Sequence, residues 1–346
     1  MNYTALSQQP TKSQLTQFER KYPKSQATRK TTKVAQIILI VVGGFFLIGG
    51  VQSLIAALTQ DIHYLSGSII ILAFAALIGL SVLFLHLGAK KQRRISAKIA
   101  FFSEQNGLSF TRTVDNPTYT GMLFNVGKDR QLNNIITSRL SRPKFEIGNL
   151  KYTIRAGESQ TTYTKGYIRI ELERNLPQIV LDATSNNLKM FGKNMTNLPV
   201  DFQKSQRMSL EGDFDKYFSL YAPKEYERDA LYIFTPDLMA LMIDNVSAFD
   251  AEIIDNQLFI YNTRLPFNLT DSATLERLFK IIEIVGGKTH SQTDFYADEK
   301  VGDRAANTVA EGGKRLKTRV SVITVIIFAL IAAVIGIQII VGILSA

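Results

Sequence analysis

The chain has no cysteine, no tryptophan and only three histidines among 346 residues. Without cysteine there can be no disulfide, no thiolate nucleophile and no thiolate metal site. His63 and His86 lie in or beside apolar runs, which leaves His290 as the single imidazole of the polar remainder. A histidine-based triad or zinc site therefore has too few parts. A phosphate-binding glycine loop is also missing, because Gly286-Gly287-Lys288 lacks the rest of that pattern. The chain has no recognisable catalytic motif, and no cofactor is implied.

Charge is absent from three long stretches. Val34 to Leu58, Leu65 to Ala89 and Val320 to Ala346 contain no Asp, Glu, Lys or Arg. Each exceeds the about 20 residues a helix needs to cross a bilayer core. The alternative home for an all-apolar helix is the middle of a large soluble core. The roughly 220 residues outside these runs are too few to wrap three such helices. The chain therefore reads as three transmembrane helices, at 34–58, 65–89 and 320–346. The first is not a cleaved signal peptide, since a basic leader precedes it and a second span follows. His86 stands one turn before Lys90, at headgroup depth, and no other ionisable group accompanies it to form a proton relay.

The net charge of +10 raises the question of nucleic acid, and its location answers it. Residues 1–33 hold seven Lys or Arg and one acid; Lys90, Lys91, Arg93 and Arg94 follow the second span; Lys314, Arg315, Lys317 and Arg319 precede the third. Without these, 25 bases face 28 acids between Ile95 and Gly313. The excess thus belongs to the membrane flanks, whereas a DNA-binding domain carries it on its folded surface. Basic flanks of this kind face the cytoplasm, and the link Thr59 to Ser66, which has no Lys or Arg, faces outside. The expected protein is multi-pass in the cell (inner or plasma) membrane. Its N-terminus and main domain are cytoplasmic, its C-terminus is outside, and its Lys/Arg flanks meet anionic lipid headgroups.

Along the chain, the leader 1–33 is too polar to bury a core and reads as disordered or as a surface arm. The glycines at 43, 44, 49 and 50, with Ser53, form a small-residue face suited to packing on the second span. That second helix runs on to Asn106-Gly107. Short strands are expected near Phe110 and over Met122 to Val126. Phe145 to Ile154 reads as a hairpin about Gly148-Asn149. Tyr167 to Glu173 alternates Ile168, Ile170 and Leu172 against charged residues, the mark of a half-buried strand. After Leu176-Pro177, Gln178 to Ala183 is expected to be a further strand pairing with it. Phe249 to Ile254 and Leu258 to Tyr261 read as a hairpin about Asp255-Asn256. Ser272 to Val285 reads as a helix stopped by Gly286-Gly287. The fold class expected for 95–287 is a cytoplasmic α+β domain of mostly antiparallel strands with a few helices, attached to the three transmembrane helices. The stretch 288–319 reads as a polar linker ending in a basic flank.

The densest run is Leu210 to Asn245. Asp213 suits the N-cap of a short helix, Ala230 to Phe234 reads as a strand, and Thr235-Pro236-Asp237 as a helix start. With FEIGNLKYTI (Phe145 to Ile154), NLPQIVLDA (Asn175 to Ala183) and FDAEIIDNQLFIY (Phe249 to Tyr261), this run resembles a family of uncharacterised bacterial membrane proteins with two N-terminal spans and a cytoplasmic domain of unknown function. The resemblance covers about a third of the chain and implies a topology and a fold, but no substrate.

The acids and tyrosines before the expected strand mark the candidate binding surface: Asp213, Asp215, Tyr217, Tyr221, Glu225, Tyr226, Glu227 and Asp229. With Glu211 they place six acids within nineteen residues, although the spacing matches no EF-hand loop. The function expected is a membrane-tethered interaction or regulatory module with a protein partner or self-association. The alternatives are a membrane-bound enzyme using the carboxylates from Asp213 to Asp229 and, further off, a transport accessory subunit.

Overall fold

The computed structural model of the chain describes residues 1–24, 26–59, 62–138, 142–157, 159–190 and 193–319. The expected third span, 320–346, lies outside the described residues. The chain forms two compact units, Met1–Val114 and the part from Asp115 onward.

The first unit is built on two long helices, α3 (Gln26–Thr59) and α4 (Tyr64–Gln105). Both are long and apolar enough to cross a membrane, over Val34–Thr59 and from Leu65. Only 6% and 11% of their most apolar windows are buried, so neither is the core helix of a soluble fold. Their contact uses part of the small-residue face. Gly43 lies against Ile78, Gly50 against Leu72, and Ser68 Oγ donates to Ser53 Oγ at 3.0 Å. Gly44 and Gly49 face away from α4, with nothing within 4 Å of a Cβ placed there.

Of the two readings of the leader, disordered or a surface arm, its described residues 1–24 agree with the arm. It forms α1 (Thr4–Ser7) and α2 (Lys12–Lys21), both packed on the polar end of α4. A capping box starts α2, with the Gln14 N–H donating to Thr11 Oγ1 and the Thr11 N–H donating to Gln14 Oε1. Leu15 and Phe18 are its buried pair. Phe18 meets Phe110 of β1 (Ser109–Asp115) at 6.3 Å, and Arg112 of the same strand lies 3.2 Å from Glu19. Two apolar residues in ten are too few to predict a stable helix, because one this short holds only when docked. Gly107, at φ +69°, ends α4 where expected.

The second unit is α+β. Its sheet runs β2 (Lys128–Thr137), β3 (Phe145–Ala156), β4 (Ser159–Ala183). Small pairs follow: β5 (Leu188–Met190) with β6 (Lys193–Met195), and β7 (Asp201–Phe202) with β11 (Thr318–Arg319). Then come β8 (Arg207–Met208), α5 (Phe214–Tyr217), β9 (Phe218–Tyr221), α6 (Glu227–Ile233), α7 (Pro236–Val246) and β10 (Asp250–Asn262). The chain continues through α8 (Ser272–Ile281), a π-turn at Ile282–Gly286, α9 (Gly287–Thr293) and α10 (Glu311–Lys314). All the strand pairings in this unit are antiparallel, with β3 and β9 side by side along one edge of β4 and β10 along the other.

Several local expectations are corrected. Gly148-Asn149 is no turn: β3 passes straight through, and Gly148 is small because Tyr167 lies against it, its Oη 2.9 Å from an added Cβ. Leu176-Pro177 does not end a strand, since β4 is one strand of 25 residues. Met122–Asn125 is a 3-10 turn, and Ala230 to Phe234 is mostly the helix α6, buried through Ala230 and Ile233. Gly286-Gly287 does not stop the long helix, because Gly286 sits against Ile170 and needs its small size there. The stretch 288–319 is packed rather than loose. Arg174 donates to the carbonyls of Tyr296, Arg304 and Ala306, Asn175 bonds Asn307, and Leu316 is buried. Its polar residues serve β4 as partners, which composition does not reveal.

Asp255-Asn256 turns no hairpin: the chain bends there, but within one strand that pairs with β4 on both sides of the bend. The register of β10 on β4 shifts on both sides of Asp255, whose φ is +52°. Thr263 Oγ1 donates to Asp250 Oδ2 at 2.6 Å and Tyr261 Oη to Glu252 Oε2 at 2.8 Å. A straight strand rising about 3.3 Å per residue would hold the first pair about 40 Å apart. The β4–β10 ribbon is therefore folded over on one face. That face carries the core of Phe124, Tyr167, Val180, Phe259 and Tyr261, closed by Leu198 and Leu316. The opposite face meets the helices, where Ile179, Leu181, Ala251 and Ile253 approach Phe234, Met242 and Thr289.

Candidate functional site

The crowd of acids and tyrosines divides between two places. Asp215 accepts from Ser209 Oγ and from the Leu210 N–H at 3.2 Å, closing a tight turn. Asp213 does not cap α5 with its side chain and lies 3.9 Å from Lys216. Tyr217 is at the exposed end of α5, and Tyr221 packs on Phe202 from β9. These four belong to the sheet edge. The other four gather at the start of α6, where Glu227 is exposed, Tyr226 is buried, and Glu225 and Asp229 line an open cleft of about 430 Å³.

The opposite wall of the cleft comes from the stretch expected to be a linker. Phe295, Tyr296, Asp298, Lys300 and Arg304 face Glu225, Arg228, Asp229 and Tyr232. Tyr226 Oη donates to Asp298 Oδ2 at 2.8 Å, and Tyr296 Oη donates to Asp229 Oδ1 at 2.7 Å. Burial, then the hydrogen-bonded carboxylate, pushes each phenol well above its ordinary value. Both tyrosines are thus neutral donors and not phenolate nucleophiles. Asp298 also accepts from the N–H groups of Lys300 and Ala310, so it ties the segment down instead of reaching into the cleft. Glu225, at φ +76°, lies 3.9 Å from Lys300. What the cleft leaves exposed is a rim of opposite charges, with Lys300 near Glu225 and Arg304 near Glu299, and Phe295, 91% exposed. The only forewarning in the sequence was Phe295-Tyr296 set among charged residues.

His290 sits between Glu173, at 3.4 Å, and Asp294, at 3.0 Å. Among the described residues no three His, Asp or Glu side chains are placed to hold a metal ion.

Sequence reasoning missed a second cluster, the carboxylates inside the folded ribbon. Asp182 and Asp250 lie opposite each other across β4 and β10, next to the Leu181–Ala251 pair, and are 3% and 0% exposed. Glu252, two residues on, is fully buried. It accepts from the Met122 N–H, Gln178 Nε2 and Tyr261 Oη at 2.7, 2.7 and 2.8 Å. Asp250 accepts from the Ala183 N–H, Asn186 Nδ2 and Thr263 Oγ1. Asp182 Oδ1 has no partner. Burial raises Asp182 to about 7, with the charge of Asp250 adding to it, and raises Asp250 to about 6 and Glu252 to about 7 against their hydrogen bonds. No alternation pattern marks such residues, because acids in strands are ordinarily on the wet face.

No protein-family model matches this sequence, and no curated protein matches it. A solved structure, the crystal structure of the mycobacterial trehalose monomycolate transport factor A, TtfA, is similar over 55% of this chain and 96% of its own, at 8% identity and a TM-score of 0.34. A likeness that low carries no argument about this chain.

Proposed function

We propose that this is an integral membrane protein whose α+β domain is a cytoplasmic interaction or regulatory module, held at the bilayer by its apolar helices. The observation that supports this most is the cleft beside α6. Two of its carboxylates, Asp298 and Asp229, are held by the phenols of Tyr226 and Tyr296, and what the cleft leaves exposed is an aromatic side chain within a charged rim, Phe295 beside Arg228, Lys300 and Arg304. An exposed aromatic anchor ringed by charge suits docking of a protein segment. The two apolar helices would then serve to keep this surface at the membrane.

A photo-crosslinking amino acid in place of Phe295, in cells, tests the reading. A discrete adduct absent when the same group replaces Leu265, another exposed apolar residue of the domain, is the expected result. Identical adducts from both positions, or none from Phe295, would count against a specific docking surface.

A further inference from the structure

The second feature with an unclaimed ligand chemistry is in the first unit. The C-terminal end of α2 and the polar extension of α4 enclose a pocket of about 230 Å³ lined by Thr16, Glu19, Arg20, Pro23, Lys24 and Arg93. Three of its six residues are cationic and one is an acid. That acid is already committed, since Glu19 lies 3.2 Å from both Arg93 and Arg112. Arg93 is fixed further by donating Nη2 to the Leu15 carbonyl at 2.9 Å. Among the described residues, Arg20 and Lys24 have no acidic partner within salt-bridge distance. The sequence offers little to supply one, because Glu19 and Asp61 are the only acids before Glu104, and Asp61 lies between the two spans.

The depth of the pocket points to its occupant. Arg93 follows the last apolar residue of the second span, Ala89, by four residues of continuous helix, about 6 Å along the axis. That is the thickness of a headgroup layer. A fixed guanidinium and two uncommitted cations at this depth match the phosphate of an anionic phospholipid, since guanidinium and ammonium groups bind phosphate oxygens by charge-assisted hydrogen bonds. We propose that the pocket formed by Arg20, Lys24 and Arg93 is a binding site for the phosphate headgroup of an anionic glycerophospholipid. The docked leader helix α2 is then the element that builds it. The proposal rests on the membrane reading above and names the lipid that the basic flank selects.

The full-length protein in detergent micelles, titrated with dioleoylphosphatidylglycerol or dioleoylphosphatidylcholine and read by native mass spectrometry, tests it. The wild type should prefer the anionic lipid, and the double variant Arg20→Gln, Lys24→Gln should bind it about thirtyfold more weakly, as the loss of two headgroup contacts implies. The single variants should fall between. Lys90→Gln with Lys91→Gln removes the same charge from the flank outside the pocket and should weaken binding by clearly less than the pocket pair does. Equal losses in both double variants would overturn the site in favour of a diffuse basic flank. Inorganic phosphate that displaces the lipid at equal concentration would overturn the lipid assignment in favour of a free anion. Because the titration is done in micelles, its outcome is independent of which side of the bilayer the domain occupies, so it can fail separately from the cytoplasmic reading.

Discussion

Replacing Asp182 by Asn should stabilise the protein at alkaline pH and leave it little changed near pH 4. The carboxyl is raised from 3.8 to about 7, chiefly by burial and then by Asp250 opposite. At about 1.4 kcal/mol for each tenfold change in proton affinity, that makes about 4 kcal/mol of cost once the folded group ionises. The sign follows from proton binding. Between pH 4 and 7 the folded protein holds this proton and the unfolded chain has released it, so stability falls as pH rises and levels off above about 7. Asn keeps an oxygen for the donors from Thr196 and Asn187, replaces the unpartnered Oδ1 by an amide nitrogen, and carries no charge. Thermal melts of wild type and Asp182→Asn in detergent, followed by far-UV circular dichroism from pH 4 to 8, measure the difference. The variant's advantage should grow with pH towards an upper bound of about 4 kcal/mol, and even half of that is about 5 °C for a domain of this size. A difference that is constant across the range, or a variant that melts lower at pH 8, would refute the reasoning.

Gly166→Ala should cost about 1–3 kcal/mol, because its Cβ would sit 2.6–2.8 Å from the ring of Phe267, while Gly287→Ala, with open space around it in a helix, should be neutral or gain up to about 1 kcal/mol; paired thermal melts decide the order. Tyr226→Phe removes the donor to Asp298, and a cost of about 1–3 kcal/mol is expected, with faster proteolysis between residues 299 and 316 as the sensitive readout. Phe18→Ala, at a residue 1% exposed, should cost about 3–5 kcal/mol locally and release α2, seen as faster hydrogen exchange over residues 12–21 with the sheet of the second unit unaffected.

What the sequence made legible were the features with a long or repeated signal. The two apolar helices, the alternation of Ile168, Ile170 and Leu172, the Gly107 stop and the Thr235-Pro236 helix start are all present in the structure. At two positions the difference has one cause, which is that residues typical of turns serve other ends here. Gly148 is small to admit Tyr167, and Asp255 takes positive φ to bend a continuous strand. The candidate site was half visible. Glu225 and Asp229 were singled out, but their partners Lys300 and Tyr296 lie 75 and 67 residues away along the chain, in a stretch whose polarity suggested a linker. The buried carboxylates were invisible for a related reason. Their donors Thr263, Tyr261 and Asn186 reach them only because the ribbon folds, and nothing local encodes that fold.

The cysteine-free sequence makes the central claim, a module held beneath the bilayer on the same side as the leader, directly measurable. Single cysteines in place of Ile62 in the link, Phe295 at the cleft and Gln9 in the leader can be labelled with a membrane-impermeant maleimide in intact and in permeabilised cells. The account predicts that only Ile62→Cys reacts in intact cells and that Phe295→Cys and Gln9→Cys react together once the membrane is opened. Reaction of Phe295→Cys in intact cells, or of Ile62→Cys only after permeabilisation, would contradict it.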